Sequence, residues 1–289
     1  MLWFPFALFS AVILASRRTY EKNLTNSFGN FSMGFIVQSF SLLPTLVLFF
    51  FFPIPDDFLH LPWQFWWPLL IIWFVLYPIQ TYFLYRGLRE GELSQTVPIM
   101  ALMPVFNLAS SFLLLGERPS LMGMVGIGII VLGTYLLLME GTQKEHGKRY
   151  NKAVMYTIIA TFCVAIGSTL DKISINVSTP VFYSFMNTLG ASVVFLVLMN
   201  IYRQRDDIPK MLQRFWPFTI LGIFQALLYT AKMLAFSFGP TSYVVAVLSS
   251  SFLFAALFGI IFLKEKCTIR KMSSFGLFVF GIILITVTR

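Results

Sequence analysis

At 289 residues, 57% hydrophobic and only 11% charged, with 33 phenylalanines and six tryptophans, the chain carries more apolar surface than a soluble domain could bury. Its solvent must be lipid, and its formal net charge of +9 is a topology signal that calls for no nucleic-acid partner. The two cysteines, Cys163 in an apolar run and Cys267 in a basic loop, make no disulfide framework.

Leu2 to Ser16 is apolar and is followed at once by Arg17, Arg18 and Lys22. That order reverses the charge pattern of a secretory signal, so the segment reads as a retained first span. Further apolar runs lie at about 33–52, 65–85, 95–115 and 121–139. A polar stretch at 141–152 follows, and then runs at about 153–170, 180–201, 215–238, 241–263 and 272–288. Each is near the ~20 residues that a helix needs to cross ~30 Å of hydrocarbon.

The two sets of five are copies. Moving 148 positions along, Gly91 falls on Gly239, Leu115 on Leu263, Glu117 on Glu265, Gly128 on Gly276 and Gly133 on Gly281. Trp67-Pro68 and Trp216-Pro217 extend the match backward with a one-residue slip. A unit of five spans places its second copy upside down in the membrane. The expected fold is therefore all-α, ten transmembrane helices as two inverted five-helix repeats, 1–140 and 153–289, joined by a cytoplasmic linker at 141–152.

Seventeen of the 21 lysines and arginines fall in loops after spans one, three, five, seven and nine, against Arg118, Lys172 and Arg289 on the other side. The positive-inside rule makes the first side cytoplasmic and places both termini outside it. The protein is expected in the cell membrane, inner or plasma, as a multi-pass protein.

At Leu113-Leu-Leu-Gly-Glu-Arg-Pro-Ser120 and the glycine-spaced helix after it, the chain resembles the EamA branch of the drug/metabolite transporter superfamily. Pro104 in the fourth helix and the glutamates closing helices four and nine, Glu117 and Glu265, belong to the same likeness. The resemblance implies a secondary carrier of small metabolites with a central cavity formed mainly by helices other than the fifth and tenth. It also implies termini in the cytoplasm, and here the charge count departs from the family.

No feature supports an enzyme. His60 and His146 lie in loops, no two acids sit at catalytic spacing within a span, and no Gly-rich phosphate loop follows a strand, so no cofactor or metal is expected. Function must then lie in polar groups held inside the bundle. Lys232 is the clearest, because its repeat counterpart, Leu84, is apolar. Gln225, Tyr229 and Lys232 share one helix face at i, i+4 and i+7. The lysine either lines a cavity or snorkels to the interface.

Gln38 with Ser41 and Thr45, Gln80 with Thr81 near Tyr77, Asn107 with Ser111, Tyr183 with Asn187, and Tyr243 with Ser250 form comparable stripes. Each stripe serves either a ligand or an interhelical hydrogen bond. Asp171 and Lys172 read as an interfacial helix end, leaving Lys232 without an acidic partner in any span. An unpaired ammonium is left for an anionic ligand group, a set of helix C-terminal carbonyls or neutralisation by a lowered pKa, and the first of these predicts a substrate with a carboxylate or phosphate, such as an amino acid or related organic acid. With no acid near the middle of any apolar run, proton-for-cation antiport is disfavoured and the coupling ion stays open. The expected partners are a small-molecule substrate and membrane lipid. The leading expectation is alternating-access transport, and the alternatives are a non-transporting scaffold or sensor, or a lipid flippase.

Overall fold

A computed structural model describes residues 2–21, 28–53, 55, 58, 60–90, 97–138, 148–263 and 268–287. Among these residues every regular element is helical. Seven helices are long and apolar enough to cross a membrane, and two shorter apolar helices, Ile99–Leu115 and Lys271–Val287, accompany them. Glu265, Gly91, Cys267 and His146 lie outside the described residues.

Helix α1 is Trp3–Glu21 and α2 is Asn30–Phe49. The third apolar run is α3, Trp63–Ile71, then a π-turn at Ile72–Leu76, then α4, Tyr77–Glu90. Pro78 favours the π-turn. It has no N–H, and its ring crowds the carbonyl four residues back, so the turn widens and the Tyr77 N–H bonds Ile72 O instead.

A 3₁₀ turn, Val97–Leu102, leads into α5, Met103–Leu115, with Pro104 in the first turn, where its missing N–H is harmless. Helix α6 is Leu121–Leu138, α7 is Lys148–Ile175 and α8 is Pro180–Ile201. A short α9, Asp207–Gln213, precedes α10, Phe215–Phe238. The ninth run is split at Ser249 into α11, Thr241–Leu248, and α12, Ser250–Leu263, and α13 is Ile269–Val287.

Several boundaries differ from expectation: α4 runs to Glu90, past the expected 85, and α7 starts at Lys148, inside the expected linker, while two further differences bear on the site. Helix α7 runs to Ile175, past the expected end at 170, because Ile173-Ser-Ile175 carries the apolar face beyond Asp171 and Lys172. Those two residues therefore belong to the bundle rather than to an interfacial helix end. Helix α1 likewise includes Arg17 and Arg18, which are half-buried and are not loop charges.

The bundle is held where side chains vanish. Helix α6 turns Gly123, Gly126, Ile127, Ile130, Gly133 and Thr134 inward and Leu121, Met122, Val125 and Leu132 outward. A Cβ on Gly126 would stand 2.9 Å from the Gly281 carbonyl, and one on Gly281 would stand 2.9 Å from that of Gly126. A Cβ on Gly133 would stand 3.3 Å from Ser274 O, so α6 and α13 meet backbone to backbone along their length.

Other close pairs are α2 with α8, α1 with α10, α2 with α10, and the third span with α7. At the end of α5, Gly116 adopts φ 65° and the Glu117 N–H bonds Ser111 O at 3.2 Å. The turn brings the Glu117 carboxylate onto α11. Both its oxygens accept the Thr241 N–H at 3.0 Å, and one accepts the Thr241 hydroxyl at 2.9 Å. Pro240 at the N-cap offers no side-chain acceptor, so Glu117 supplies the cap from another helix.

The start of α2 is capped the same way. Gly29 has no side chain, and Gln204 Oε1 accepts the N–H groups of Phe31 and Ser32 at 3.1 Å, while Asp207 Oδ2 accepts that of Gly29 at 2.8 Å. Lys210 pairs with Asp207 at 2.9 Å. Burial alone would raise the Asp207 carboxyl, but the bonds from Gly29, Lys210 and Ser32 prevail and hold it below the ordinary range. A depressed folded-state pKa adds stability that is present above the unfolded value near ~4 and is lost as pH falls through the folded value. Thermal unfolding of wild type and Asp207→Asn should therefore differ at pH 6 and converge below about pH 4.

Candidate functional site

The α10 face of Gln225, Tyr229 and Lys232 turns inward, with a polar partner for each residue. Lys232 Nζ stands 3.1 Å from Asp171 Oδ2 on α7, and the two side chains are 17% and 5% exposed. By helical rise, Lys232 lies about 9 Å from the Phe238 end of α10 and Asp171 about 6 Å from the Ile175 end of α7. The ammonium neither snorkels nor stands alone. Its anionic partner is the residue that the sequence assigned to an interfacial helix end.

A buried ion pair holds only when its remaining valences are met. Here the Tyr183 hydroxyl donates to Asp171 Oδ1 at 2.6 Å and the Tyr229 hydroxyl donates to the same atom at 3.0 Å. Lys232 Nζ also lies 4.8 Å from the Tyr229 ring centroid and 5.3 Å from that of Phe236. Next to it, Lys172 donates to the carbonyls of Phe236 and Gly239, which closes the C-terminal end of α10.

Deeper in the bundle, Asn187 on α8 is fully used. Its Nδ2 donates to the Tyr77 hydroxyl at 2.8 Å and to the Tyr229 hydroxyl, and its Oδ1 accepts the Trp73 indole N–H at 2.8 Å. Tyr229 thus joins the amide to the ion pair. Gly190 makes the Trp73 contact possible, because a Cβ there would stand 2.2 Å from the indole ring. The π-turn that carries Trp73 is a departure from the α-helix of a kind that often marks functional sites.

Gln225, at the other end of the face, accepts from Arg17 Nη1 on α1. The face therefore runs from Arg17 on the basic side to Asp171 on the opposite side. Lys232, Tyr229, Asn187 and Tyr183 come together, and Gln225 lies in line with them. Asn107 does not join: it is fully buried and clamps α5 to α7 through Ala165 O at 3.1 Å and Thr169 Oγ1 at 3.2 Å. Tyr243 sits against the α5–α6 turn, where its hydroxyl accepts the Ser120 N–H at 3.2 Å.

Gln38 and Gln80 are half-buried on α2 and α4, and among the described residues neither bonds to this cluster. Ser41 and Thr45 bond back to carbonyls of their own helix, at 2.8 and 2.7 Å. Sequence reasoning missed Asp171 and Trp73. The usable signal for the first was the apolar Ile173 and Ile175 beyond it, and for the second the helix-disturbing Pro78 five residues on.

Residues 1–139 and 151–287 each match the model of a family described as EamA-like transporters. The chain belongs to the EamA-like transporter family. That family lies within the drug/metabolite transporter superfamily, so this EamA-like protein is a multi-pass membrane transporter. A protein of Archaeoglobus fulgidus named an uncharacterized transporter is 23% identical over 202 residues, 70% of this chain and 69% of its own. One crystal structure superimposes with a TM-score of 0.75 over 97% of this chain and 96% of the other, at 14% identity, which supports the fold.

Proposed function

We propose that this EamA-like protein is a secondary carrier of ten membrane-spanning helices in two inverted repeats, which expose a central site to each side of the membrane in turn. The observation that carries the reading is the crossing of α6 and α13. Shifted by 148 positions, Gly126 becomes Ser274 and Gly133 becomes Gly281, so the contact of Gly126 with Gly281 becomes that of Ser274 with Gly133. A contact set that maps onto itself under exchange of the halves is what a two-fold axis between them would produce, and it supports the inverted-repeat reading.

The other large pairs follow the exchange, with one marked inequality. Helices α2 and α8 are repeat equivalents and pack together, and the α1–α10 pair corresponds to that of α7 with the third span. Helix α10, however, packs closely on α2, while the third span meets α8 chiefly through the π-turn. Alternating access would leave such an inequality between equivalent pairs in a single conformer, and the inequality supports the reading.

The substrate class we propose is a small metabolite bearing a carboxylate, such as an amino acid or related organic acid. Its acid group takes the place of Asp171 on Lys232, with Asn187 and the Tyr183 and Tyr229 hydroxyls alongside. Asp171, read from the sequence as an interfacial end, also serves as an acid within the bundle, which reopens proton coupling through the pair. Uptake of a labelled metabolite library into proteoliposomes tests this. Lys232→Met should cut uptake of the cognate substrate about tenfold or more while Lys232→Arg retains part of it. Normal uptake by Lys232→Met, or no flux under any gradient, would sink the proposal.

Arg17 and Arg18 leave the topology tally, but the imbalance among the other charges remains, and we place both termini outside the cytoplasm. Single cysteines at Gln143 and Thr288 should be protected and labelled, respectively, on intact cells, and the opposite pattern reverses the orientation.

A further inference from the structure

Arg17 and Arg18 are half-buried and turn toward α10 and α12. Gln225, the partner of Arg17, is ten residues into α10, about 15 Å from its start at Phe215. The Arg17 guanidinium also meets Glu21 at 3.2 Å, with both side chains 19% exposed, yet its Nε is buried and has no hydrogen-bond acceptor. Arg18 Nη1 donates to Ser251 Oγ at 3.2 Å, and its guanidinium carbon stands 4.3 Å from the centre of the Phe252 ring. Among the described residues no carboxylate comes within 4.0 Å of Arg18. Beside Ser251, the Ser250 hydroxyl is 1% exposed and has no partner.

Two guanidiniums that are always charged thus share one carboxylate, and Arg17 Nε is left without an acceptor. Buried charge is ordinarily balanced by a partner. We propose that Arg17 and Arg18, with Gln225, Ser250 and Ser251, form a binding site for a carboxylate or phosphate group between α1, α10 and α12, reached from the basic side. It is distinct from the Asp171–Lys232 pair, which is neutral as a whole and lies toward the other end of the α10 face. The anion comes either from a soluble metabolite or from an anionic lipid headgroup.

Thermal unfolding of the full chain separates the sources. Inorganic phosphate and succinate are titrated in neutral detergent, and nanodiscs of phosphatidylglycerol are compared with nanodiscs of phosphatidylcholine. A saturable stabilisation by phosphate or succinate assigns a soluble anion, and one by phosphatidylglycerol alone assigns a headgroup. Loss of a charge-assisted bond of ~1.5–3 kcal/mol corresponds to about 10- to 150-fold weaker binding in Arg18→Gln. Arg18→Lys and Ser251→Ala, which preserve charge and packing respectively, should weaken it less, and exposed Arg205→Gln should leave it unchanged. The proposal is overturned if no probe stabilises the protein, or if Arg18→Gln and Ser251→Ala both bind like wild type. Flux and its sensitivity to Lys232→Met are separate readouts, so either assignment can fail alone.

Discussion

Replacing Asp171 by alanine is expected to destabilise the purified protein by about 3–5 kcal/mol, the usual cost of stranding one member of a buried ion pair. The carboxylate balances the Lys232 ammonium at 3.1 Å and accepts from the hydroxyls of Tyr183 and Tyr229, so one truncation leaves three donors unmet. Lys232→Met alone leaves the carboxylate two hydroxyl donors and should cost less. The double variant Asp171→Leu/Lys232→Met removes both charges and should be more stable than Asp171→Ala. Thermal unfolding in one detergent reads all three. Additive losses in the double variant would mean that the two residues do not act as a pair.

Gly222→Ala is expected to cost about 1–3 kcal/mol. The added Cβ would stand 2.3 Å from the carbonyl oxygen of Phe40 and 2.4 Å from its carbon. Both are backbone atoms, so α2 and α10 must move apart, and α10 carries Gln225, Tyr229 and Lys232. The internal control is Gly128→Ala, whose Cβ meets nothing within 4 Å. That change should be neutral or stabilise by up to ~1 kcal/mol through helix propensity. Equal melting points for the two variants would show that the crossing tolerates separation.

Composition, the 148-residue repeat and the run lengths made the helical membrane architecture legible, because lipid forces every spanning backbone group into a helix. The α10 face was legible too, since Gln225, Tyr229 and Lys232 follow helical spacing alone. Its partners were not. That Asp171 meets Lys232 across 61 residues of chain depends on how α7 and α10 pack, and periodicity within one helix carries no information about that. Arg17 and Arg18 misled for a related reason: a charge next to an apolar run reads as a loop whether its side chain points to water or to Gln225 and Ser251. Asn107 and Tyr243 are polar and buried as expected, but their bonds hold helices and turns together.

The π-turn at Ile72–Leu76 explains the slip in the repeat. Trp67-Pro68 is 149 positions from Trp216-Pro217, whereas Gly91 is 148 from Gly239, so the third span holds one residue more than the eighth. A π-turn is the means by which a helix takes in one inserted residue without losing register on either side. On the 149 offset Trp73 is the counterpart of Gly222. One is an indole laid over Gly190, and the other is a bare backbone under Phe40. Knob and hole have thus changed places between two descendants of one ancestral helix, and the insertion left its indole bonded to the amide of Asn187 in one copy only.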